Sequence, residues 1–97
     1  MSASDWHVYL VRCRNGALYT GIATDVARRF EEHGEGRGAK ALRGRGPLEL
    51  VYQRPVGERG LALRVESLIK RLPKARKEEL VACDGLFDEL LAGIDDG

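Results

Sequence analysis

The stretch Trp6-His7-Val8-Tyr9-Leu10-Val11-Arg12-Cys13, followed by Arg14-Asn15-Gly16 and then by Ala17-Leu18-Tyr19-Thr20-Gly21-Ile22, decides the fold. Both arms are aromatic and β-branched, and the break between them carries Asn and Gly, so the segment reads as a β-hairpin. Its turn decides where Tyr9 and Tyr19 point. A two-residue Asn15-Gly16 loop sends the two phenols to opposite faces. A three-residue Arg14-Asn15-Gly16 loop, with Gly16 left-handed, pairs Tyr9 with Gly21 and Val11 with Tyr19. Both phenols then lie diagonally on one face, with room beside Tyr9 at Gly21.

Outward from the hairpin, Thr24 or Asp25 supplies an N-cap for a helix from Val26 to His33, with Val26, Phe30 and His33 at i, i+4 and i+7. Gly34 to Gly46 is a glycine-rich basic loop containing Arg37, Lys40, Arg43 and Arg45, with one helical turn expected at Ala39 to Leu42. Pro47 leads into a third strand, Leu48 to Arg54, which Pro55 should end. Leu61, Ala62, Val65, Leu68, Ile69 and Leu72 then recur with helical period. Pro73 stops that helix and serves as the first residue of the next, which runs from Lys74 to Ala82 and is closed by Gly85. A last amphipathic piece spans Leu86 to Leu91, before a polar end expected to fray. The order ββαβα plus a C-terminal helical extension describes an α/β fold, a small three-stranded, mostly antiparallel sheet flanked by helices. One domain over residues 1–83 with an acidic extension over 84–97 is the expected organisation.

A chain of 97 residues supports one core and no second domain. Residues 1–77 carry 16 Lys and Arg against 8 Asp and Glu, a balance of +8, whereas the remaining 20 carry 0 against 7. That asymmetry suits a polyanionic partner for the first part, and it equally suits a normally solvated surface with an uneven tail. Cys13 and Cys83 lack metal-ligand spacing and read as reduced packing residues. The first residues lack the basic and apolar regions of a signal peptide, and no apolar run has the length of a membrane span. The expected compartment is the cytoplasm, with no membrane partner.

Four kinds of side chain stand out for chemistry. Tyr9 and Tyr19 sit on the hairpin strands; Arg29 and His33 are i and i+4 along one side of the first helix. Glu66 lies at the edge of the strongest apolar helix, about 100° round from Val65. Taken singly, each is ordinary: strand tyrosines pack, an Arg beside an apolar stripe snorkels, and a helix-edge Glu is solvated.

Together they form a pattern. His7-Val8-Tyr9, then Leu18-Tyr19-Thr20-Gly21-Ile22, then Arg29 ten residues after the second tyrosine, and Glu66 on a later helix resemble the GIY-YIG nuclease superfamily over residues 6 to 80. The loop Gly36-Arg37-Gly38-Ala39-Lys40-Ala41-Leu42-Arg43-Gly44 resembles that of its small stand-alone bacterial members, of the UPF0213 type. The resemblance implies a divalent-metal-dependent endonuclease, a hydrolase of phosphodiester bonds, using one Mg2+ or Mn2+. It implies Glu66 as metal ligand, Tyr9 as base for the attacking water, Tyr19 as an orienting group, Arg29 as phosphate neutraliser and His33 in an accessory role. DNA, structured or damaged and met in repair, is the implied partner, with Arg37, Lys40, Arg43, Arg45, Lys70 and Lys74 as its phosphate contacts. A free tyrosine has a pKa of ~10, so Arg29 and metal-bound water have to favour its anion or accept its proton cooperatively.

Three features depart from the superfamily pattern. His7-Val8 stands where Gly-Ile is usual, Thr20 replaces Ile, and Lys74 to Glu79 lacks the Asn that several members carry after the metal helix. A non-catalytic or weakly catalytic nucleic-acid-binding module of the same fold is the alternative. A protein-interaction domain is a third, but interaction alone requires none of the Tyr9, Tyr19, Arg29 and Glu66 set. Nothing in the pattern specifies an oligomeric state.

Overall fold

Alternation along a strand sorts its side chains onto two faces, and the computed structural model shows what covers each. It describes residues 5–83 and 85–96, with the side chains of residues 41, 95 and 96 left aside. Strands β1 (Trp6–Arg12) and β2 (Leu18–Ala23) form the hairpin. Its loop has three residues: Gly16 takes φ +90°, its N–H donates to the Cys13 carbonyl at 2.9 Å, and the Cys13 N–H donates to that of Ala17 at 2.8 Å. Only glycine enters that φ without strain. The register therefore pairs Tyr9 with Gly21 and Val11 with Tyr19.

Strand β3 (Glu49–Gly57) pairs with the other side of β1, giving the order β2-β1-β3, antiparallel throughout. The sheet is thus more uniform than the mostly antiparallel one expected. Pro55 does not end β3. It lies opposite His7 at a register shift, and β3 is an edge strand, where a missing N–H breaks no ladder on the solvent side.

Helix α1 (Val26–Gly34) is capped by the Asp25 carboxylate, which accepts the Arg28 N–H at 3.1 Å. A single 3-10 turn, Lys40–Leu42, interrupts the glycine-rich loop. Helices α2 (Arg59–Arg71), α3 (Lys74–Ala82) and α4 (Gly85–Asp96) follow. Pro73 occupies the N-cap of α3, one place before its expected position. Gly85 opens α4 instead of closing α3, whose end is capped by the Cys83 N–H bonding the Glu79 carbonyl at 2.8 Å. Helix α4 also continues past Leu91 to Asp96. Asp84, at the expected boundary between domain and extension, is outside the described residues.

On one face of the sheet, Val8, Leu10 and Tyr52 pack with Val65 and Ile69 of α2, Leu80 of α3, and Leu86 and Phe87 of α4. Each aliphatic or Phe side chain fully buried there stabilises the fold by roughly 1.5–3 kcal/mol. The other face holds a smaller cluster of Tyr9, Val11, Ala23 and Val26, flanked by Tyr19, Phe30, Leu48 and Leu50. Arg12, at the end of β1, makes a two-pronged ion pair with Glu78 of α3 at 2.7 and 2.8 Å. Cys13 is buried as expected, whereas Cys83, at the end of α3, is exposed.

Candidate active site

The site is built on the smaller cluster. Tyr9 is 1% exposed and lies across Gly21, where an added Cβ would come within 2.5 Å of its Oη. The three-residue turn brings Tyr19 onto the same face, with ring centroids 6.5 Å apart. His33, in the last turn of α1 and 2% exposed, completes the group, its ring 6.0 Å from Tyr9 and edge-on to Tyr19 at 5.6 Å. Its Nε2 is hydrogen-bonded to Tyr9 Oη at 2.8 Å, and its Nδ1 accepts the Ala39 backbone N–H at 3.1 Å. The apolar stripe that buries Val26 carries His33, two turns on, into the same interior.

Burial dominates the electrostatics. It pushes the Tyr9 phenol up to about 12, with Tyr19 and Glu66 adding to the rise and Arg29 opposing it. Arg29 favours the tyrosine anion, but desolvation outweighs it, so Arg29 alone does not bring the phenol down. Burial likewise lowers His33, with the Arg29 cation second and Glu32 opposing, so the imidazole is favoured neutral. The Arg29 guanidinium donates to Glu32 at 3.0 Å, and that hydrogen bond is the main reason the Glu32 carboxyl is held low.

Glu66 on α2 has a side chain 18% exposed, 3.4 Å from the Lys70 ammonium, and lies near enough to Tyr9 to act on its phenol. Among the described residues no group of three or more His, Cys, Asp or Glu side chains could hold a metal ion. A lone carboxylate fits the habit of Mg2+, which keeps several waters and binds through one or two carboxylates plus substrate phosphate oxygens. Glu66 suits an ion that arrives with a phosphodiester better than one held by protein alone.

The cations expected to meet phosphate divide into two groups. Arg37 is paired with Glu35, Lys70 with Glu66, and Lys74 with Glu78 at 2.7 Å. Lys40, Arg43 and Arg45 are exposed. Arg43 and Arg45 share an open concavity of about 410 Å³ with Arg14, Asn15 and Gly44. The Arg14 N–H donating to the Arg45 carbonyl at 3.0 Å ties the hairpin turn to the loop there. Sequence reasoning missed Arg14, whose place depends on that long-range tie, and Glu32, which its i+3 spacing from Arg29 would have revealed.

Residues 5–79 match the family described as the GIY-YIG catalytic domain. The chain belongs to the GIY-YIG family. It is 61% identical over 89 residues to a UPF0213 protein of Enterobacter sp. (strain 638), covering 92% of this chain and 87% of that one. It is 53% identical to the UPF0213 protein YhbQ of Escherichia coli, at 92% and 89% coverage. Among solved structures, the UPF0213 protein BH0048 of Bacillus halodurans matches with a TM-score of 0.53 and 42% identity over 80% of this chain and 83% of that one. The protein EF2693 of E. faecalis matches with a TM-score of 0.60 and 28% identity, at 86% and 88% coverage. The GIY-YIG assignment makes this a protein of a nuclease family, whose members act on nucleic acids and generally use divalent metal ions. None of the described helices is long and apolar enough to cross a membrane.

Proposed function

We propose that this GIY-YIG protein is a divalent-metal-dependent endonuclease that hydrolyses phosphodiester bonds of DNA, with branched, flapped or damaged structures met in cytoplasmic DNA repair as its substrates. The observation that carries the reading is the meeting of Tyr9, Tyr19 and His33 on one face, within electrostatic reach of Arg29 and Glu66.

Glu66 holds the ion, Mg2+ or Mn2+, which supplies Lewis-acid stabilisation of the leaving oxygen when bound. Tyr9 presents Oη as the proton acceptor for the attacking water. Its phenol is raised to about 12, so it works as a base only once further positive charge stands beside it. Arg29, held by Glu32, supplies part of that charge and neutralises the phosphate; Tyr19 orients the phosphate group. The concavity of Arg14, Arg43 and Arg45 accepts the flanking backbone, with Lys40 and Arg37 on the same loop and Lys70 and Lys74 as outer contacts. Phosphate contacts of this kind give affinity without sequence information, so cleavage selects structure over sequence.

Titrating Mg2+ and then Mn2+ against nicked, flapped, four-way and plain duplex DNA tests the reading. Cleavage that requires the ion and favours a branched substrate supports it. A second reading, a binding module that cleaves weakly or not at all, draws on two observations: the burial of the Tyr9 phenol and the absence of Asn from Lys74 to Glu79. Binding to every substrate with no cleavage under any ion would favour it.

A further inference from the structure

The two ring nitrogens of His33 face partners of opposite demand. A backbone amide has only a hydrogen to give, so Nδ1, 3.1 Å from the Ala39 nitrogen, must present its lone pair. A neutral imidazole then carries its hydrogen on Nε2, which is 2.8 Å from Tyr9 Oη. In that bond His33 is the donor and Tyr9 the acceptor. An imidazolium would set Nδ1–H against the Ala39 N–H, and both burial and the Arg29 charge oppose it.

The loop is shaped for this contact. A Cβ on Gly38 would fall inside the imidazole, on Nδ1, so only glycine lets the chain close over the ring. Ala39 follows with φ −63° and ψ 137°, and its carbonyl accepts the Leu42 N–H of the 3-10 turn at 3.0 Å, which anchors the loop on the far side of the residue.

We infer that the backbone of Gly38 and Ala39 positions Tyr9 at second hand: the Ala39 amide locks His33 in its Nε2–H tautomer, so that His33 donates to Tyr9 Oη and cannot take its proton. This rests on the nuclease reading for the task of Tyr9, and it assigns His33 the task of stabilising, through its Nε2–H, the phenolate that Tyr9 presents once its own proton has passed to solvent, the form that then takes the proton of the attacking water. The opposite tautomer would leave Nε2 bare, draw the phenol hydrogen into the histidine and make His33 the proton acceptor. The glycine-rich loop therefore acts on the chemistry of Tyr9 through His33.

Nitrogen-15 spectroscopy of the imidazole rings in the full-length chain reads the tautomer directly, with His33 told apart from His7 by a His7→Gln sample. The expected signature is a protonated Nε2 and a bare Nδ1 at neutral pH. Ala39→Pro removes the amide hydrogen at a φ that proline already prefers, and Ala39→Gly keeps it. The proline variant should lose the single-tautomer signature and drop kcat on Mg2+-supported cleavage of flapped DNA by about tenfold, the scale of one lost hydrogen bond, with KM unchanged. The glycine variant should match the parent in both readouts. A protonated Nδ1 in the parent overturns the inference even if Ala39→Pro does not fold. So does a proline variant with unaltered ring signals, or with altered signals and full kcat. Absence of any cleavage by the parent overturns the nuclease reading instead, and with it the catalytic task, while the ring signals still decide the tautomer.

Discussion

Strand β1 has two faces that do different work with alternate residues of one segment. Val8 and Leu10 face a dry layer closed by α2, α3 and α4, in which Phe87 is fully buried. Tyr9 and Val11 face a smaller cluster that ends in phenols, an imidazole and a glycine gap. The first face places apolar area against apolar area, where stability accumulates with each methylene. The second buries polar atoms that must each find a partner, and Tyr9 and His33 find one another, with the loop backbone on His33 and Arg29 beside Tyr9. Stability and chemistry are thus separated by one residue of register, and the separation can be broken from either side.

The largest expected effect is on the apolar face. Phe87→Ala removes a buried ring under Tyr52 and Arg54 and should cost about 3–5 kcal/mol in denaturant unfolding. The Tyr9–His33 pair should survive in whatever fraction remains folded. On the other face, Gly21→Ala puts a Cβ into the Tyr9 phenol and should cost roughly 1–3 kcal/mol by overpacking. It should also displace Oη and lower cleavage more than stability alone explains; parallel melting curves and rate measurements separate the two losses.

The ion pair between β1 and α3 gives a pH signature. The Arg12 guanidinium, helped by Lys74, holds the Glu78 carboxyl at about 2, below its usual value of 4.5. A depressed carboxyl contributes stability that is fully present above 4.5 and is lost as pH falls through the folded value near 2. Melting temperature should therefore fall across that acid window, and Glu78→Gln should flatten the fall.

The smallest effect has the opposite sign. Thr20 lies opposite Leu10, is 2% exposed, and has a hydroxyl without a hydrogen-bond partner among the described residues. Thr20→Val should stabilise the protein by about 1 kcal/mol, with no change in cleavage.

How much of this was legible in the sequence follows from the range of the forces involved. The hairpin, α1, α2 and α3 could be read because turn chemistry, caps and apolar period are local. Even the shared face of Tyr9 and Tyr19 follows from counting the residues of one turn. Pro55 inside β3 was misread because only the sheet order reveals that β3 is an edge strand. Gly85 was taken for a helix stop because its place at the start of α4 depends on Leu86 and Phe87 docking into a core assembled from distant segments. The pairing of Lys74 with Glu78 followed from i+4 spacing and was passed over, whereas the tie between Arg14 and Arg45 had no local signature. His33 was legible as a residue on the Arg29 side of α1, but not as a ring held between a phenol and an amide six residues on.

The central claim, that Glu66 and the tyrosine face form a metal-dependent nuclease site, is tested most directly by comparing Mg2+-dependent cleavage of flapped DNA by the parent and by Glu66→Gln. The substitution is isosteric at a helix edge, so melting temperature should stay close to that of the parent. Cleavage should fall by roughly a hundredfold or more if the carboxylate holds the ion. Full Mg2+-dependent activity in the folded Glu66→Gln protein would contradict the account.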